Sequence, residues 1–183
     1  SRVYLFNPAT NVFKKYYSIT DSTQKVLNVN YLLLTKSNRL FATTFFGLYH
    51  FNKTLNRFTK INTAQFNNEQ MMGMAEDKNG VIWIGTAAGL LGWNPIENKI
   101  VKTFVEYTDA GLVARVCVDK YNNIWFNCHQ GYWCWMQDKQ QMIKFGYNMK
   151  LPENRTEGGF AVTSDGKVYG GGRDAVVQFD PDL

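Results

Sequence analysis

Short runs of apolar residues, each bounded by glycine or polar turn residues, recur along the whole chain. The clearest stretch predicts four strands, near residues 72–76, 81–86, 89–94 and 99–104. Short strands with turn signals about every 8 to 12 residues indicate an all-β protein. The runs Val81–Ile84 and Val116–Val118 are apolar at every position, so both faces of those strands are apolar. We therefore expect sheets that are covered on both sides.

This pattern returns at a fixed period. Aromatic residues follow one another at intervals of 42, 42 and 44 residues in the column Phe41, Trp83, Trp125 and Tyr169. A second column keeps the same phase at Phe51, Trp93, Trp135 and Phe179. A period of this size is the signature of a blade or solenoid unit. Four short strands per period favour the blades of a β-propeller.

The columns also divide the chain into repeats. They predict three full four-stranded antiparallel blades and two partial ones, at residues 1–18 (partial), 28–61, 71–104, 114–146 and 159–183 (partial). Propellers hold roughly 4 to 8 blades, so about four repeats lie near the low end of that range. We expect residues 1–183 to be a single β-propeller segment of a larger propeller, with closure of a four-bladed ring by residues 1–18 as the alternative.

Two turn columns have a physical explanation. Between the first and second strands of each repeat stand residues that accept positive φ at low cost, namely Asn38, Gly80, Asn122 and Gly166. Between the second and third strands the chain reverses at Gly47, Gly89 and Gly131. Both columns predict tight antiparallel hairpins.

The segment Val81–Leu90, with the sequence VIWIGTAAGL and preceded by Glu76-Asp77 and Asn79-Gly80, resembles the propeller repeat of the two-component regulator type. Such repeats build the periplasmic sensor regions of hybrid histidine kinases in gut Bacteroidetes, where these receptors control glycan utilisation. The resemblance implies a noncatalytic periplasmic sensor segment of a hybrid two-component system histidine kinase/response regulator, anchored in the inner membrane. It also implies recognition of a glycan or oligosaccharide and signal transduction.

The same resemblance sets the expected partners. They are an oligosaccharide ligand, together with the remaining blades of the receptor or a second copy in a homodimer. We expect no nucleic acid, no metal and no cofactor. No apolar run reaches the length of about 18 residues that a transmembrane helix needs, so no membrane contact is expected within this segment.

The other repeats depart from this pattern. Thr35 and Thr163 stand where Asp77 and Asp119 supply an acid in the middle repeats. Such drift is typical of repeats whose constant positions serve turns and packing. Ligand specificity is therefore expected where the repeats differ.

Positive charge is concentrated in the first third of the chain. Residues 1–60 carry nine Lys or Arg against one acid, Asp21, for a net charge of +8, whereas residues 61–183 carry 11 against 14, for a net charge of −3. One interpretation is a surface for an anionic glycan. The other, which we favour, is that the lysines solvate outer strands and blunt their edges.

Propellers generally bind ligands where the loops between second and third strands meet the loops between blades, and loops on a rigid scaffold often carry function. Here the first set is 45–46, 87–88, 129–130 and 173–174, and the second is 18–24, 62–70, 105–111 and 147–157. Aromatic rings stack on sugars, and Arg or Gln hydrogen-bonds hydroxyls or carboxylates. The predicted ligand contacts are, in order, Phe46, His129, Gln130, Arg173, Phe45, Tyr132 and Asp174. The alternative for each is packing or a local hydrogen bond.

The sequence offers little for catalysis. It has no nucleophile elbow and only two histidines, His50 and His129. The three cysteines, Cys117, Cys128 and Cys134, are interpreted as free, buried thiols. The alternative is a disulfide between Cys128 and Cys134. The rival functions are a propeller lyase acting on a polysaccharide or peptide and a plain protein-interaction scaffold.

Overall fold

Turn residues separate the chain into short strands throughout. The structure, a computed structural model, describes residues 2–62, 66, 70–105, 111–128, 131–145, 158–171 and 175–181. These residues form seventeen β-strands and no α-helix, which confirms the all-β prediction. None of the described segments is a helix with the length and hydropathy needed to cross a bilayer. The chain divides into two compact units, Ser1–Met71 and Met72–Leu183.

The first unit contains two antiparallel sheets. The smaller sheet pairs β1 (Arg2–Asn7) with β2 (Val12–Ser18). The larger has the order β3-β4-β5-β6, with strands at Val29–Leu34, Leu40–Thr44, Gly47–Asn52 and Arg57–Lys60. Ile19 and Leu27, from the connection between the sheets, share a buried apolar cluster with Ala42 and Phe58 of the larger sheet. Burial of this cluster holds the two sheets of the unit together.

The second unit contains three antiparallel sheets. Strands β7–β10 lie at Met71–Glu76, Ile82–Thr86, Gly89–Asn94 and Lys99–Phe104, with β7 starting at the last residue of the first unit. Strands β11–β14 lie at Arg115–Val118, Ile124–Cys128, Gly131–Met136 and Gln141–Phe145. Strands β15–β17 lie at Phe160–Val162, Val168–Gly171 and Val176–Phe179. In every sheet, strands that are consecutive in the sequence lie side by side and are hydrogen-bonded to each other. The four strands predicted for the clearest repeat are confirmed to within one residue.

The predicted turn columns adopt left-handed backbone. Asn38, Gly80, Asn122 and Gly166 have φ between 59° and 88°, and Gly47, Gly89 and Gly131 have φ between 118° and 134°. A further column, which was not predicted, comprises Asn56, Asn98 and Gln140, with φ between 49° and 52°. Asn94 supports one of these turns, because its Oδ1 accepts hydrogen bonds from the N–H of Ile96 (2.9 Å) and Glu97 (3.2 Å). Asparagine suits both tasks, since it tolerates left-handed backbone and bonds its own turn.

Sheet β11–β14 is apolar on both of its faces. Phe126 and Trp133 of one face cluster with Trp83 of sheet β7–β10. Trp125 of the opposite face packs on Phe179 of sheet β15–β17, with ring centroids 5.0 Å apart. The two-sided cover expected from the unbroken apolar runs is confirmed, because each face meets a neighbouring sheet.

A buried aspartate organises the hairpin between β7 and β8. Asp77 is 1% exposed, and its Oδ1 accepts hydrogen bonds from the N–H of Asn79 (2.8 Å) and Val81 (3.0 Å). Its Oδ2 accepts a hydrogen bond from Trp83 Nε1 at 3.0 Å. One carboxylate therefore closes the turn and fixes the indole that packs against the next sheet.

The outer face of the β1–β2 sheet carries four exposed aromatic rings. Tyr4, Phe6, Phe13 and Tyr16 are between 44% and 64% exposed. They contact one another, with the Phe6 and Phe13 centroids 5.1 Å apart.

Candidate functional site

Three of the seven predicted ligand contacts lie within the described residues. These are Phe45, Phe46 and Tyr132. The other four predicted contacts lie outside the described residues, namely His129, Gln130, Arg173 and Asp174. The geometry of the site is therefore built from the loop face of the first unit, where Phe45 and Phe46 lie.

Phe45 and Phe46 form the turn between β4 and β5. The Thr44 hydroxyl accepts a hydrogen bond from the Phe46 N–H (2.9 Å) and donates one to the Gly47 carbonyl (3.1 Å). The rings of Phe45 and Phe46 are 41% and 55% exposed. Both side chains are therefore open to solvent in part, and their role as ligand contacts stays a prediction.

The turn between β8 and β9 has the same skeleton. The Thr86 hydroxyl accepts from the Ala88 N–H (3.1 Å) and donates to the Gly89 carbonyl (3.0 Å). Only the side chains at the tip differ, since Ala87 and Ala88 replace the two phenylalanines. The phenyl rings are therefore not needed to form the turn.

A cavity of about 430 Å³ lies beside the Phe46 turn. Its lining combines residues from the loop after β2, the β4–β5 turn and strands β5 and β6, namely Asp21, Ser22, Phe46, Tyr49 and Lys60. The two loop sets thus meet within this unit. Sequence reasoning missed Tyr49 and Lys60, because both lie in strands and share no repeat column with Phe46.

Asp21 organises the loop that forms one wall of the cavity. Its Oδ1 accepts hydrogen bonds from the Thr23 N–H (2.8 Å), the Thr23 hydroxyl (2.7 Å) and the Lys25 N–H (3.0 Å). The Asp21 N–H donates in turn to the Lys25 carbonyl at 3.1 Å. The hydrogen bond from the Thr23 hydroxyl lowers the pKa of Asp21, so this carboxyl is ionised at neutral pH.

Tyr49 forms the buried wall of the cavity. The residue is 4% exposed and pairs with Lys60 of β6 across the sheet. Burial, followed by the negative charge of Asp21, raises the pKa of Tyr49 above its ordinary value of 10.0. Its phenol is therefore neutral at neutral pH and is able to donate a hydrogen bond.

Lys60 brings a positive charge to the same wall. A Cβ built on Gly47 would lie 3.1 Å from Lys60 Cε and 3.8 Å from Lys60 Nζ, so the lysine crosses the turn where the glycine has no side chain. Gly47 has a φ of 118°, which also favours glycine at this position. The cavity therefore combines a phenyl face, a carboxylate, an ammonium group and hydroxyls. Such a set suits a small amphipathic ligand.

Residues 65–88 match the family model described as the two-component regulator propeller. The chain carries a two-component regulator propeller repeat. No curated protein sequence matches the chain significantly.

Solved structures share the fold of this chain. Two structures of one extracellular domain from B. thetaiotaomicron, assigned to a one-component or a hybrid two-component system, have TM-scores of 0.78 and 0.76 at 14% identity. They cover 96% of this chain, which spans only 24% of theirs. The virginiamycin B lyase of Staphylococcus aureus has a TM-score of 0.74 at 12% identity, with 100% of this chain and 64% of the lyase covered. At such identities the likeness shows the β-propeller fold alone.

The recognisable residues of the regulator propeller repeat serve structure. Asp77 and Trp83 form the buried pair described above. A Cβ on Gly85 would collide with the Val113 carbonyl, so this glycine permits the close approach of the chain that leads to the next sheet. These positions are therefore explained by the turn and by packing between sheets.

Tyr132 is removed from the candidate ligand contacts. It is 2% exposed, and its hydroxyl donates to the Gly171 carbonyl at 3.0 Å. Its ring packs edge-on against Phe160 (5.5 Å) and Phe179 (5.2 Å). Because ring and hydroxyl are both engaged between two sheets, Tyr132 is a packing residue.

The register of β12 and β13 argues against a disulfide. Cys128 pairs with Gly131 and Cys134 pairs with Trp125, so the two cysteines lie three residue rows apart and face opposite sides of the sheet. That separation is roughly 10 Å at about 3.4 Å per row, beyond the Cα distance a disulfide spans. Cys117, Cys128 and Cys134 all carry free thiols, and burial raises the pKa of Cys117 and Cys134. Within the described residues, no group of three His, Cys, Asp or Glu is placed to hold a metal ion.

Proposed function

We propose that this chain is a noncatalytic segment of the periplasmic sensor region of a hybrid two-component histidine kinase. The observation that carries the proposal is the regulator propeller repeat at residues 65–88. The fold likeness to the extracellular domain of a hybrid two-component system supports it. This chain spans 24% of that domain, so further blades of the same receptor are the expected structural partners. The exposed aromatic face of β1–β2 fits such a neighbour.

Recognition of a glycan or oligosaccharide is the second part of the proposal. The cavity beside Phe46 supports it, because an exposed ring next to charged and hydroxyl groups is the combination that binds sugars. The net charge of +8 over residues 1–60 favours an acidic glycan. Binding transmits a signal only if the glycan prefers one arrangement of the receptor over another.

A binding experiment tests the recognition step. Oligogalacturonate and heparin-derived oligosaccharides are titrated into the chain at low and high ionic strength by isothermal titration calorimetry. We expect binding that weakens with salt, because charge pairs at the surface are screened. Absence of binding at both ionic strengths would contradict glycan recognition.

The receptor assignment has a separate test. The reading frame that encodes this chain is sequenced in both directions. We expect a transmembrane helix followed by a histidine kinase domain and a response regulator domain. A frame that joins this chain to a catalytic lyase domain, or to no membrane segment at all, would overturn the assignment.

A peptide lyase is the second candidate function, because the virginiamycin B lyase shares the fold over the whole chain. A histidine-to-alanine variant of that enzyme, in complex with quinupristin, is described as catalytically inactive. Here His50 lies within β5, paired with Phe41 and Thr59, and burial lowers the pKa of its imidazole. Incubation with quinupristin, followed by liquid chromatography against heat-denatured protein, separates the two functions. We expect intact quinupristin, and its conversion would favour the lyase.

A further inference from the structure

We propose that a second cavity, in the unit Met72–Leu183, binds a single free amino acid with an apolar side chain. Its volume is about 290 Å³. Ligand pockets range over about 300 to 1,000 Å³, so this cavity is small and suits a ligand of amino-acid size. The lining residues come from two neighbouring sheets and are Tyr121, Asn123, Met136, Asp138, Lys139 and Pro181. The inference goes beyond glycan recognition and does not depend on it.

The cavity lies at one edge of sheet β11–β14. Tyr121 and Asn123 belong to the connection between β11 and β12, whereas Asp138 and Lys139 belong to the connection between β13 and β14. In an antiparallel sheet with this strand order, both connections lie at the same edge, opposite the connection between β12 and β13. Pro181, which follows β17, supplies a wall from the neighbouring sheet. The cavity is therefore separate from the loops at which glycan contacts were predicted.

Tyr121 is an addition to a turn that does not need it. Its N–H donates to Asp119 Oδ1 at 2.9 Å, as the Asn79 N–H donates to Asp77 Oδ1 at 2.8 Å one repeat earlier. The backbone is held in the same way, while the side chain changes from an amide to a phenol. The Tyr121 ring is 46% exposed, with Lys120 Nζ 5.0 Å from its centroid, and it lines the cavity. It offers apolar surface to a ligand.

Met136 stands where the two preceding sheets have a residue that caps a turn. There the Oδ1 atoms of Asn52 and Asn94 accept hydrogen bonds from the N–H groups of Leu55 and Ile96, each at 2.9 Å. A thioether is only a weak acceptor, so the chain gives up this cap at position 136. In its place a flexible apolar side chain lines the cavity.

Asp138 and Lys139 bring opposite charges to the cavity. Both are exposed, and their equivalents one repeat earlier are Ile96 and Glu97, so this turn does not require an acid followed by a base. Neither side chain forms an ion pair with another described residue. A neutral ligand would use neither charge, and a simple cation or anion would meet one charge of its own sign. An amino acid matches both, because its α-ammonium group suits Asp138 and its α-carboxylate suits Lys139.

Asn123 adds a fixed acceptor for the α-ammonium group. The residue is 6% exposed, its N–H donates to Asp119 Oδ1 at 2.8 Å, and its Nδ2 donates to Asp119 Oδ2 at 2.9 Å. A carboxylate only accepts, so the amide presents Nδ2 to it and keeps Oδ1 as its acceptor. Because the amide is fixed before a ligand arrives, binding costs little ordering of this side chain.

L-Leucine, N-acetyl-L-leucine and L-leucinamide form a matched set of probes. The first carries both charges, the second lacks the ammonium group and the third lacks the carboxylate. Saturation-transfer NMR and titration of the chain give the three dissociation constants. We expect L-leucine to bind about tenfold more tightly than either derivative, the size of one net charge pair in a partly open site. Glycine has no side chain to contact the apolar wall and should bind more weakly than L-leucine.

Three single variants assign the parts of the cavity. Asp138→Asn should remove the preference for L-leucine over N-acetyl-L-leucine and keep the preference over L-leucinamide. Lys139→Met should have the reverse effect. Tyr121→Asn introduces the residue of the preceding repeat and should weaken L-leucine by about fivefold or more, because the apolar wall is reduced.

Matched controls come from sheet β7–β10. Glu97→Gln and Lys99→Met each remove one exposed charge outside the cavity lining. Both variants should bind the three probes as the unaltered chain does. Circular dichroism verifies that each variant keeps its β-sheet spectrum, so a loss of binding is not a loss of fold.

Three outcomes would overturn the inference. Equal binding of L-leucine and its two derivatives would show that the cavity does not select a zwitterion. Binding of none of the probes would show that it takes no amino acid of this class. Unchanged binding of L-leucine by all three cavity variants would show that the amino acid binds elsewhere. None of these outcomes bears on glycan recognition, which the titration with acidic oligosaccharides tests separately.

Discussion

Sheets β7–β10 and β11–β14 differ from sheets β3–β6 and β15–β17 at the residue that begins the first hairpin. It is an aspartate in the first pair of sheets, at Asp77 and Asp119, and a threonine in the second pair, at Thr35 and Thr163. The aromatic residue six positions later changes with it. Trp83 and Trp125 follow the aspartates, whereas Phe41 and Tyr169 follow the threonines.

Hydrogen-bonding capacity explains this correlation. Asp119 has two oxygens, and it uses Oδ1 for the hairpin N–H of Asn123 (2.8 Å) and Oδ2 for Trp125 Nε1 (2.9 Å). Thr35 has one hydroxyl, which accepts from the Arg39 N–H (3.0 Å) and donates to the Arg39 carbonyl (3.1 Å). Phe41 needs no acceptor, so the single hydroxyl suffices. The threonine repeats are therefore a second solution to the same turn and not a degraded form of the first.

The largest effect is expected from Asp77→Ala. The change leaves the indole N–H of Trp83 and two hairpin N–H groups without their acceptor, and it also removes the acceptor for Gln137 Nε2 (3.2 Å) of the next sheet. We expect the free energy of unfolding to fall by about 3 kcal/mol. Urea unfolding followed by tryptophan fluorescence measures it, because all five tryptophans lie in Met72–Leu183.

The control for this prediction is the exposed acid Asp138, in the turn after β13. Asp138→Ala should change the free energy of unfolding by less than about 0.5 kcal/mol. Equal effects of the two substitutions would show that the buried carboxylate has no special role.

The repeat period predicted most of the fold because turns and buried aromatics are local requirements. Positive φ at Asn38 and Gly80 follows from the tightness of the hairpin, and burial of Trp83 follows from its place in a column. The third turn column carries the same sequence signal, because Asn56 and Asn98 are also 42 positions apart and both have positive φ.

The candidate site was predictable only in part. Phe46 stood out because its repeat equivalent, Ala88, is small. Tyr49 and Lys60 gave no signal, because they reach the cavity through the pairing of β5 with β6, and that register depends on the folded sheet. Asp21 was visible as the single acid in residues 1–60, but its role in the loop depends on hydrogen bonds to Thr23 that spacing alone does not predict.

A double-mutant cycle tests whether acid and indole form one unit. Asp77→Thr leaves the Trp83 N–H without its acceptor, and Trp83→Phe removes the donor but opens space in a buried cluster. The double variant reproduces the Thr35–Phe41 pair. We expect its loss in the free energy of unfolding to be smaller than the sum of the two single losses by about 1 to 2 kcal/mol.

Urea unfolding of the four proteins gives the coupling energy. Asp77→Thr combined with Trp133→Phe is the control, because Trp133 Nε1 donates to Cys128 Sγ (3.2 Å) and not to the aspartate. This pair should be additive to within about 0.5 kcal/mol. If the effects of the Asp77 and Trp83 substitutions are also additive, the two residues do not act as a coupled pair.

Thr35→Val should have a smaller effect. Valine has a similar shape, but it removes the hydroxyl that serves both the N–H and the carbonyl of Arg39. Thr35 is 5% exposed, so these groups lose a partner in a mostly buried turn, and we expect a loss of about 1 kcal/mol. Thermal unfolding followed by circular dichroism measures it, since the first unit holds no tryptophan. A loss as large as that of Asp77→Ala would contradict the comparison.

The smallest effect is expected from a change at Asp165 of sheet β15–β17, which lies two residues after Thr163. The Thr163 hydroxyl donates to Asp165, and this bond, followed by the charge of Lys167, lowers the pKa of the carboxyl from 3.8. The folded state therefore holds the ionised form, and its stabilisation is present above the ordinary pKa and is lost as the pH falls through the lowered value. In sheet β3–β6 the residue two positions after the threonine is Ser37, whose hydroxyl lies 3.0 Å from the Thr35 hydroxyl and carries no titratable acid.

Asp165→Ser gives the turn of sheet β15–β17 the same Thr-to-Ser spacing as Thr35 and Ser37, and it tests the contribution of the carboxylate. Thermal unfolding of the unaltered chain and of the variant is compared between about pH 5 and pH 2. Asp21 also has a lowered pKa and destabilises both proteins on acidification, so only the difference between the two curves reports on Asp165. We expect that difference to be small, because Asp165 lies at the surface, and to appear only below about pH 4. Superimposable curves would mean that the serine and aspartate forms of the threonine turn are equivalent at every pH.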